Sequence, residues 1–178
     1  MFCSACGHRL SAQPPTRCTS CGAAHWDDAK PCASALVVHE SKLLLVRRAA
    51  DPWKGCWDVP GGFCDAGEHP IHTAEREILE EVGICIEVVG FVGMWLDTYG
   101  NGTRTLNIYY HARPSGPIDG LVDRSEVAEV GWFLPTELPG GLAFPAHVPA
   151  ALDAWKQAAA APPARCLPDR PAGARIRR

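Results

Sequence analysis

The sequence predicts an α/β sandwich preceded by a small cysteine-rich module. Three observations carry this prediction. Short apolar runs of strand length, bounded by turn residues, recur between positions 35 and 134. Two longer stretches, 70–82 and 150–161, read as helices, and the first sits between strand-like runs. Four of the nine cysteines fall in the first 21 residues, as two Cys-x-x-Cys pairs.

The elements follow in order. Residues 1–30 are rich in cysteine and poor in branched aliphatics, and form a first unit. The main domain, 31–161, opens with Ala35-Leu36-Val37-Val38-His39, a polar Glu40-Ser41-Lys42 and then Leu43-Leu44-Leu45-Val46. Two apolar runs about a tight polar break predict a hairpin. Asp51-Pro52-Trp53-Lys54-Gly55 predicts a loop, and Pro60-Gly61-Gly62 a turn after a short strand. Pro70 to Val82 predicts a helix, with Pro70 suited to its first position and Gly83 to its stop. Strands are predicted over 84–95, 106–112 and 127–134, and a last helix over 150–161, ended by Pro162-Pro163. Residues 162–178 form a Pro/Arg-rich tail. Five arginines against Asp169 give residues 164–178 a charge of about +4, which predicts a solvated, disordered segment.

The whole-chain numbers narrow the function classes. A 47% hydrophobic, 21% charged composition is that of a chain that packs a core. A formal net charge of −3 gives no basic signature for nucleic acid. No apolar run reaches the ~18 residues of a membrane helix. The first residues lack a charged stretch followed by an apolar one, so a cytoplasmic chain is expected. An odd cysteine count without a secretory signal argues against a disulfide framework.

The helix at 70–82 carries the chemistry. On a helical wheel Ile71, Ala74, Ile78 and Val82 cluster within roughly 80°, a core-facing stripe. Glu77, Glu80 and Glu81 fill a separate sector, its centre roughly 110° away. The helix can therefore pack one face and present carboxylates along its flank. Like charges at i, i+3 and i+4 repel by a few tenths of a kcal/mol per pair on an exposed helix. A divalent cation would remove that cost, and hard cations such as Mg²⁺ favour carboxylate oxygens, water and phosphate. Arg76 precedes the cluster and Glu68 lies in the loop before the helix, placed for an ion pair between them.

Read from Gly62, the chain gives five residues, Glu68, seven residues, then Arg76-Glu77-Ile78-Leu79-Glu80-Glu81-Val82-Gly83-Ile84. This matches every fixed position of the Nudix box, and the resemblance to Nudix hydrolases extends over about residues 33–156. It implies an α/β/α sandwich with a mixed sheet and a pyrophosphohydrolase activity that uses Mg²⁺ or Mn²⁺. It implies metal ligands at Glu77, Glu80 and Glu81, support of the metal site by Glu68, a backbone carbonyl ligand at Gly61, and orientation of the carboxylates by Arg76. A Ser or Thr commonly precedes this helix in the family. Here His69-Pro70 stands there, and a small loss of capping energy is expected.

Such an enzyme needs a carboxylate to position or deprotonate water, and Glu81, Glu126 and Glu129 are the candidates. Glu126, in the polar stretch 123–126, is favoured, because Glu129 between Ala128 and Val130 suits an outward strand position. Trp53 and Tyr99 are candidates to stack on a base or nicotinamide ring, with Trp57 and Trp95 read as core aromatics. Arg47 and Arg48, at a strand end, are candidates to clamp a phosphate.

Cys3-x-x-Cys6 and Cys18-x-x-Cys21 are separated by eleven residues, and Gly7 and Gly22 follow the second cysteine of each pair. The arrangement resembles a four-cysteine zinc ribbon, in which four thiolates hold one structural Zn²⁺. Thirty residues cannot bury an adequate core, so the metal would supply the folding energy.

A zinc ribbon before a Nudix domain is similar to the layout of NADH pyrophosphatases. Their Ser-Gln-Pro-Trp-Pro-Phe-Pro stretch is missing, the corresponding region being 86–93. The proline of many ADP-ribose pyrophosphatases is replaced by Gly100, and the tyrosine of dinucleoside polyphosphate hydrolases by Asn101-Gly102. The leading expectation is cleavage of a nucleoside diphosphate linked to another moiety, with ADP-ribose or an NAD(H)-like dinucleotide first. The alternatives are the same chemistry on sugar nucleotides, nucleoside triphosphates or capped RNA, and a regulator that binds a nucleotide without cleaving it. The expected partners are a nucleotide-type small molecule and, as in much of the family, a second copy of the chain, with no membrane and with nucleic acid kept as a lesser alternative.

Overall fold

A computed structural model of the chain describes residues 1–99 and 102–160. The Pro/Arg-rich tail and two residues of the glycine-rich loop at 99–104 lie outside the described residues. The elements in order are β1 (Thr16–Arg17), β2 (Ala24–His25), β3 (Lys30–His39), β4 (Lys42–Arg48), β5 (Trp57–Asp58) and β6 (Gly61–Phe63). There follow α1 (Pro70–Val82), β7 (Ile86–Thr98), β8 (Arg104–Pro114), β9 (Val127–Phe133) and α2 (Val148–Ala160).

β1 and β2 pair only with each other, inside the cysteine-rich module. The remaining strands form a mixed sheet in the order β5-β4-β3-β8-β7, with β6 also on β3 and β9 also on β4. The β3–β4 hairpin forms as its sequence predicts, closing at Val38↔Leu43. β3 and β8 run parallel from Lys30↔Thr105 to Val37↔Ala112, and the other pairings are antiparallel. Among the described residues no helix is long and apolar enough to cross a membrane.

Alternation along the strands divides the core in two. Ala33, Ala35 and Val37 of β3, with Leu44 and Val46 of β4, pack towards α1 against Ala74, Ile78 and Val82. Leu36, Leu43 and Leu45 pack the other way, towards Val148, Leu152 and Trp155 of α2. Each fully buried leucine or isoleucine contributes about 2 kcal/mol by leaving water. The sheet therefore lies between two helices, an α/β/α sandwich. Trp57 and Trp95 belong to the α2-side core, Trp57 edge-on to Phe133 and Trp95 edge-on to Tyr109.

α1 follows its sequence closely, with two differences. Thr73 is fully buried while Ile71 is only half-buried, because the Thr73 hydroxyl is used inside, on Glu68. The expected loss of capping energy does not arise either. His69 has extended backbone and its Nδ1 accepts the Ile71 N–H at 3.2 Å, the bond a Ser or Thr would make. Gly83 ends the helix in the left-handed conformation, its N–H on the Leu79 carbonyl. α2 begins two residues earlier than the sequence predicts, at Val148.

Candidate functional site

The site is built where β6 passes between β3 and α1. Gly61 has φ +153, and a Cβ there would lie 2.4 Å from the Ala33 carbonyl oxygen and 2.6 Å from Ser34 Cα. Only glycine fits that approach of two backbones. At Gly62 the obstacle is a side chain: a Cβ would lie 2.5 Å from the Glu77 carboxyl carbon. The Gly61-Gly62 pair thus lets the strand run directly beneath the carboxylates of α1. The Gly61 N–H donates to the Glu81 carboxylate at 3.2 Å.

Arg76 organises the acids around it. Its Nε and Nη2 grip both Glu68 oxygens at 3.0 and 2.9 Å, a two-pronged contact. Its Nη1 donates to Glu77 and to Glu80, each at 2.8 Å, and its Nη2 also reaches the Phe63 carbonyl at 3.2 Å. Glu68 accepts further hydrogen bonds from the Thr73 hydroxyl at 2.7 Å and the Asp65 N–H at 3.2 Å. Arg76 foremost, with Thr73 and Asp65, holds Glu68 down to about 2, so it stays ionised.

Glu81 is in the opposite condition. Burial, then the charges of Glu77, Asp58 and Glu126, push its carboxyl up to about 8. Glu77 is also raised, by burial first, with Arg76 opposing. Asp58 is pushed up to about 6 by burial, against the Arg48 guanidinium 3.0 Å away. These acids face a cavity of about 490 Å³, lined also by Arg48, Gly61, Gly62, Arg76, Tyr99 and Glu126. A second cavity of about 390 Å³ adjoins it and shares Arg48, Asp58, Gly61, Glu81 and Glu126.

The residues singled out in the sequence separate here. Glu77, Glu81, Gly61, Arg76, Glu126, Arg48 and Tyr99 converge on the cavity. Glu80 and Glu68 lie outside its lining and are tied to Arg76, Glu80 with its side chain 59% exposed. Arg47 turns away, to the Gly55 carbonyl and to Glu129, which sits on exposed β9 surface. Trp53 lines a smaller neighbouring hollow and meets Phe144 edge-on.

Other parts of the wall were not singled out in the sequence. Phe144 stacks on Tyr99, with ring centres 5.1 Å apart, and also on His147 at 5.1 Å. Arg48 lies over the Phe144 ring at 5.1 Å. Below them the Tyr109 hydroxyl lies 2.6 Å from His147 Nδ1. His147 Nε2 is buried without a hydrogen bond to a described residue, and Asp97 approaches it at 3.4 Å. Asp51 lines both cavities from the loop after β4. Asp58, an acid between Trp57 and Val59, is the one of these with a local signal: a charge set in an apolar strand.

Two places suit a metal. Half-buried Glu81, raised first by desolvation and then by its acidic neighbours, faces a polar cavity with Glu77 and the Gly61 backbone and has the chemistry of a site for a hard divalent cation. The four sulfurs of Cys3, Cys6, Cys18 and Cys21 all lie within 4.8 Å of one another. Cys3–Cys21 is 3.6 Å and Cys6–Cys18 is 3.7 Å, against an edge of ~3.8 Å for a tetrahedron of thiolates at ~2.3 Å from one ion. His25 Nε2 approaches the Cys3 sulfur at 3.3 Å, placed to orient it.

Comparison with known proteins gives a consistent picture. The NUDIX domain model matches residues 29–153. A MutT-like protein of Streptomyces ambofaciens is 34% identical over 107 residues, 60% of this chain and 64% of that protein. The human NAD(P)H pyrophosphatase NUDT13 is 28% identical over 144 residues, 79% of this chain and 40% of that protein. The chain thus spans less than two thirds of the length of either curated relative. A crystal structure of a NUDIX hydrolase from Nitrosomonas europaea superposes with a TM-score of 0.67 at 25% identity, covering 90% of this chain and 94% of that one.

Proposed function

We propose that this chain, which belongs to the NUDIX family, is a pyrophosphohydrolase that cleaves a nucleoside diphosphate linked to another moiety, with ADP-ribose or an NAD(H)-like dinucleotide as the leading substrate. The observation that carries this reading is the pair Glu77 and Glu81, half-buried against Gly61-Gly62 and open to a nucleotide-sized cavity. The name of the NAD(P)H pyrophosphatase relative supports the dinucleotide side of it.

Glu77, Glu81 and the Gly61 carbonyl would hold the divalent cation, Mg²⁺ or Mn²⁺, with Glu80 and Glu68 supporting it through Arg76. When bound, the cation neutralises the pyrophosphate and favours departure of one phosphate. The chain's own groups do the rest. Arg76 fixes the carboxylates, so little reorganisation is needed during the reaction. Arg48 donates Nε to the Pro52 carbonyl and Nη1 to Asp58, leaving Nη2 without a partner among the described residues and available to a phosphate oxygen. Glu126 carries its carboxylate at the cavity wall with no hydrogen bond to a described residue. It takes the proton of the attacking water. Tyr99, backed by Phe144, offers a flat face to a base. The products are a nucleoside monophosphate and a phosphorylated second moiety.

The four cysteines of the amino-terminal module would hold a structural Zn²⁺. The module's own core is only Cys3, Leu10, Cys18 and the half-buried Ala23, so metal binding supplies its folding energy.

The test is release of nucleoside monophosphate from a panel of ADP-ribose, NADH, NAD⁺, UDP-glucose, a diadenosine polyphosphate and nucleoside triphosphates, with Mg²⁺ or Mn²⁺. Metal-dependent cleavage of at least one compound is expected. Binding of a compound without turnover would move the reading to a nucleotide-sensing regulator.

A further inference from the structure

The larger cavity has a floor that the smaller one lacks. Cys32 and Ser34 of β3 stand beside Asn107 and Tyr109 of β8, in the register Cys32↔Asn107 and Ser34↔Tyr109, and all four line the larger cavity alone. Tyr109 belongs to the α2-side core, so the register puts the other three on that face of the sheet. Gly61 pairs with Ser34 and Phe63 pairs with Cys32. By strand spacing and rise, Asn107 is therefore about 12 Å from Gly61, a distance that a nucleoside bridges.

Three of the four floor residues have no proton left to give a ligand. The Asn107 amide nitrogen donates to the Trp95 carbonyl at 3.3 Å and to the Thr105 hydroxyl at 3.0 Å. A carbonyl can only accept, so this amide cannot be turned over, and both of its N–H groups are spent. The Cys32 thiol is directed at the Lys30 carbonyl at 3.9 Å. Asp97, 3.4 Å from His147 Nε2, draws the ring proton to that nitrogen, and the Tyr109 hydroxyl then donates to Nδ1 at 2.6 Å. Only Ser34, in the row of Gly61, keeps a proton to offer. Asn107 Oδ1 receives no hydrogen bond from a described residue. It is not sealed in either, because among the described residues His147 Nε2 is the one buried side-chain polar atom without a partner. The oxygen therefore opens onto the cavity that Asn107 lines.

We infer that Asn107 reads the base. Its Oδ1 accepts an N–H from the exocyclic amino group of a ring laid on Tyr99, and a base with an amino group at that edge is bound in preference to one with a carbonyl oxygen, whose lone pairs would face Oδ1. The inference rests on the proposed function, since a pyrophosphate beside Glu81 and Gly61 is what directs the base to this floor. It adds to that reading the residue that sets base choice.

The experiment is calorimetric titration of the full chain with α,β-methylene ADP-ribose and with its inosine counterpart, in which a ring carbonyl replaces the exocyclic amino group, at one fixed Mg²⁺ concentration. Neither analogue can be cleaved between the α and β phosphates, so the readout is affinity alone. The adenine compound should bind tighter by at least about tenfold. Asn107→Ala should bring the ratio close to one, chiefly through weaker binding of the adenine compound. Thr105→Val, which releases one hold on the amide and leaves the floor in place, should narrow the ratio, and it supplies the second reading if Asn107→Ala proves unstable. Equal affinities in the native chain, or tighter binding of the inosine compound, would overturn the inference and leave the hydrolase reading standing. So would an undiminished ratio in folded Asn107→Ala. Failure of both analogues to bind would overturn the proposed function together with it.

Discussion

Replacing Gly62 by alanine separates the geometry of the site from the stability of the fold. The added Cβ would sit 2.5 Å from the Glu77 carboxyl carbon and 2.5 Å from one of its oxygens. Ordinary carbon–carbon contact begins at about 3.5 Å, so the carboxylate must retreat by about 1 Å. The atom that yields is the end of a flexible side chain, and the fold should lose only about 1 kcal/mol, the low end of overpacking costs. For a domain of this size that is a fall of about 2–4 °C in Tm. A 1 Å displacement of a group that positions the reaction costs about 100-fold in rate. Gly61→Ala inverts the pattern. Its Cβ meets the backbone of Ala33 and Ser34, and its φ of +153 is one that side chains avoid. About 3 kcal/mol of stability should be lost there, because the β3–β6 pairing must open. The assay is kcat/KM for the cleaved nucleotide beside thermal unfolding of both variants. A Gly62→Ala protein with native turnover would refute the placement of Glu77 at the reacting centre, as would one that loses activity only in proportion to its unfolding.

Acid sensitivity and metal removal give two further tests. Burial holds His147 down to about 4, against 6.5 in the unfolded chain, with nearby Asp97 opposing. The unfolded state therefore binds the extra proton first as pH falls. The contribution of His147 is complete above pH 6.5 and is lost between 6.5 and 4, up to about 3 kcal/mol. Unfolding curves of the native chain and His147→Gln should differ in slope across that window, and parallel curves would contradict the buried neutral imidazole. Chelation of Zn²⁺ should raise amide hydrogen exchange throughout residues 1–30 while the strands β3, β4 and β8 keep their protection. Unchanged exchange in the module would contradict a metal-held fold.

Much of this molecule is legible in the amino-acid order because its signals are local. The α1 stripe of Ala74, Ile78 and Val82 and the Gly83 stop lie within one continuous segment, and the structure places them as that segment predicts. The β3–β4 hairpin is equally local, two apolar runs closing at Val38 and Leu43. The parallel pairing of Lys30 with Thr105 has no such signal, since it joins residues far apart in the chain by way of a helix. The cavity wall inherits that difficulty. Asp51, Phe144 and His147 come from a loop, a turn before α2 and the α2 entrance, and only packing brings them to the α1 carboxylates.

Charge patterning was legible in kind but not in detail. The sequence groups Glu77, Glu80 and Glu81 on one flank, and the structure divides them, because Arg76 reaches across to Glu68, Glu77 and Glu80 and leaves Glu81 to meet the Gly61 N–H. Arg47 and Arg48 look equivalent in the sequence. Alternation along β4 sends the first to Glu129 on the surface and the second into the cavity beside Asp58.

The measurement that bears most directly on the account is turnover of the nucleotide panel by Glu81→Gln beside the native chain. Gln keeps the shape of the side chain and its place beside the Gly61 N–H, but removes the charge a cation would meet. The account predicts a loss of about 100-fold or more in kcat with an unfolding temperature equal to or above that of the native protein. Near-native turnover by Glu81→Gln would contradict the assignment of this acid cleft as the catalytic centre.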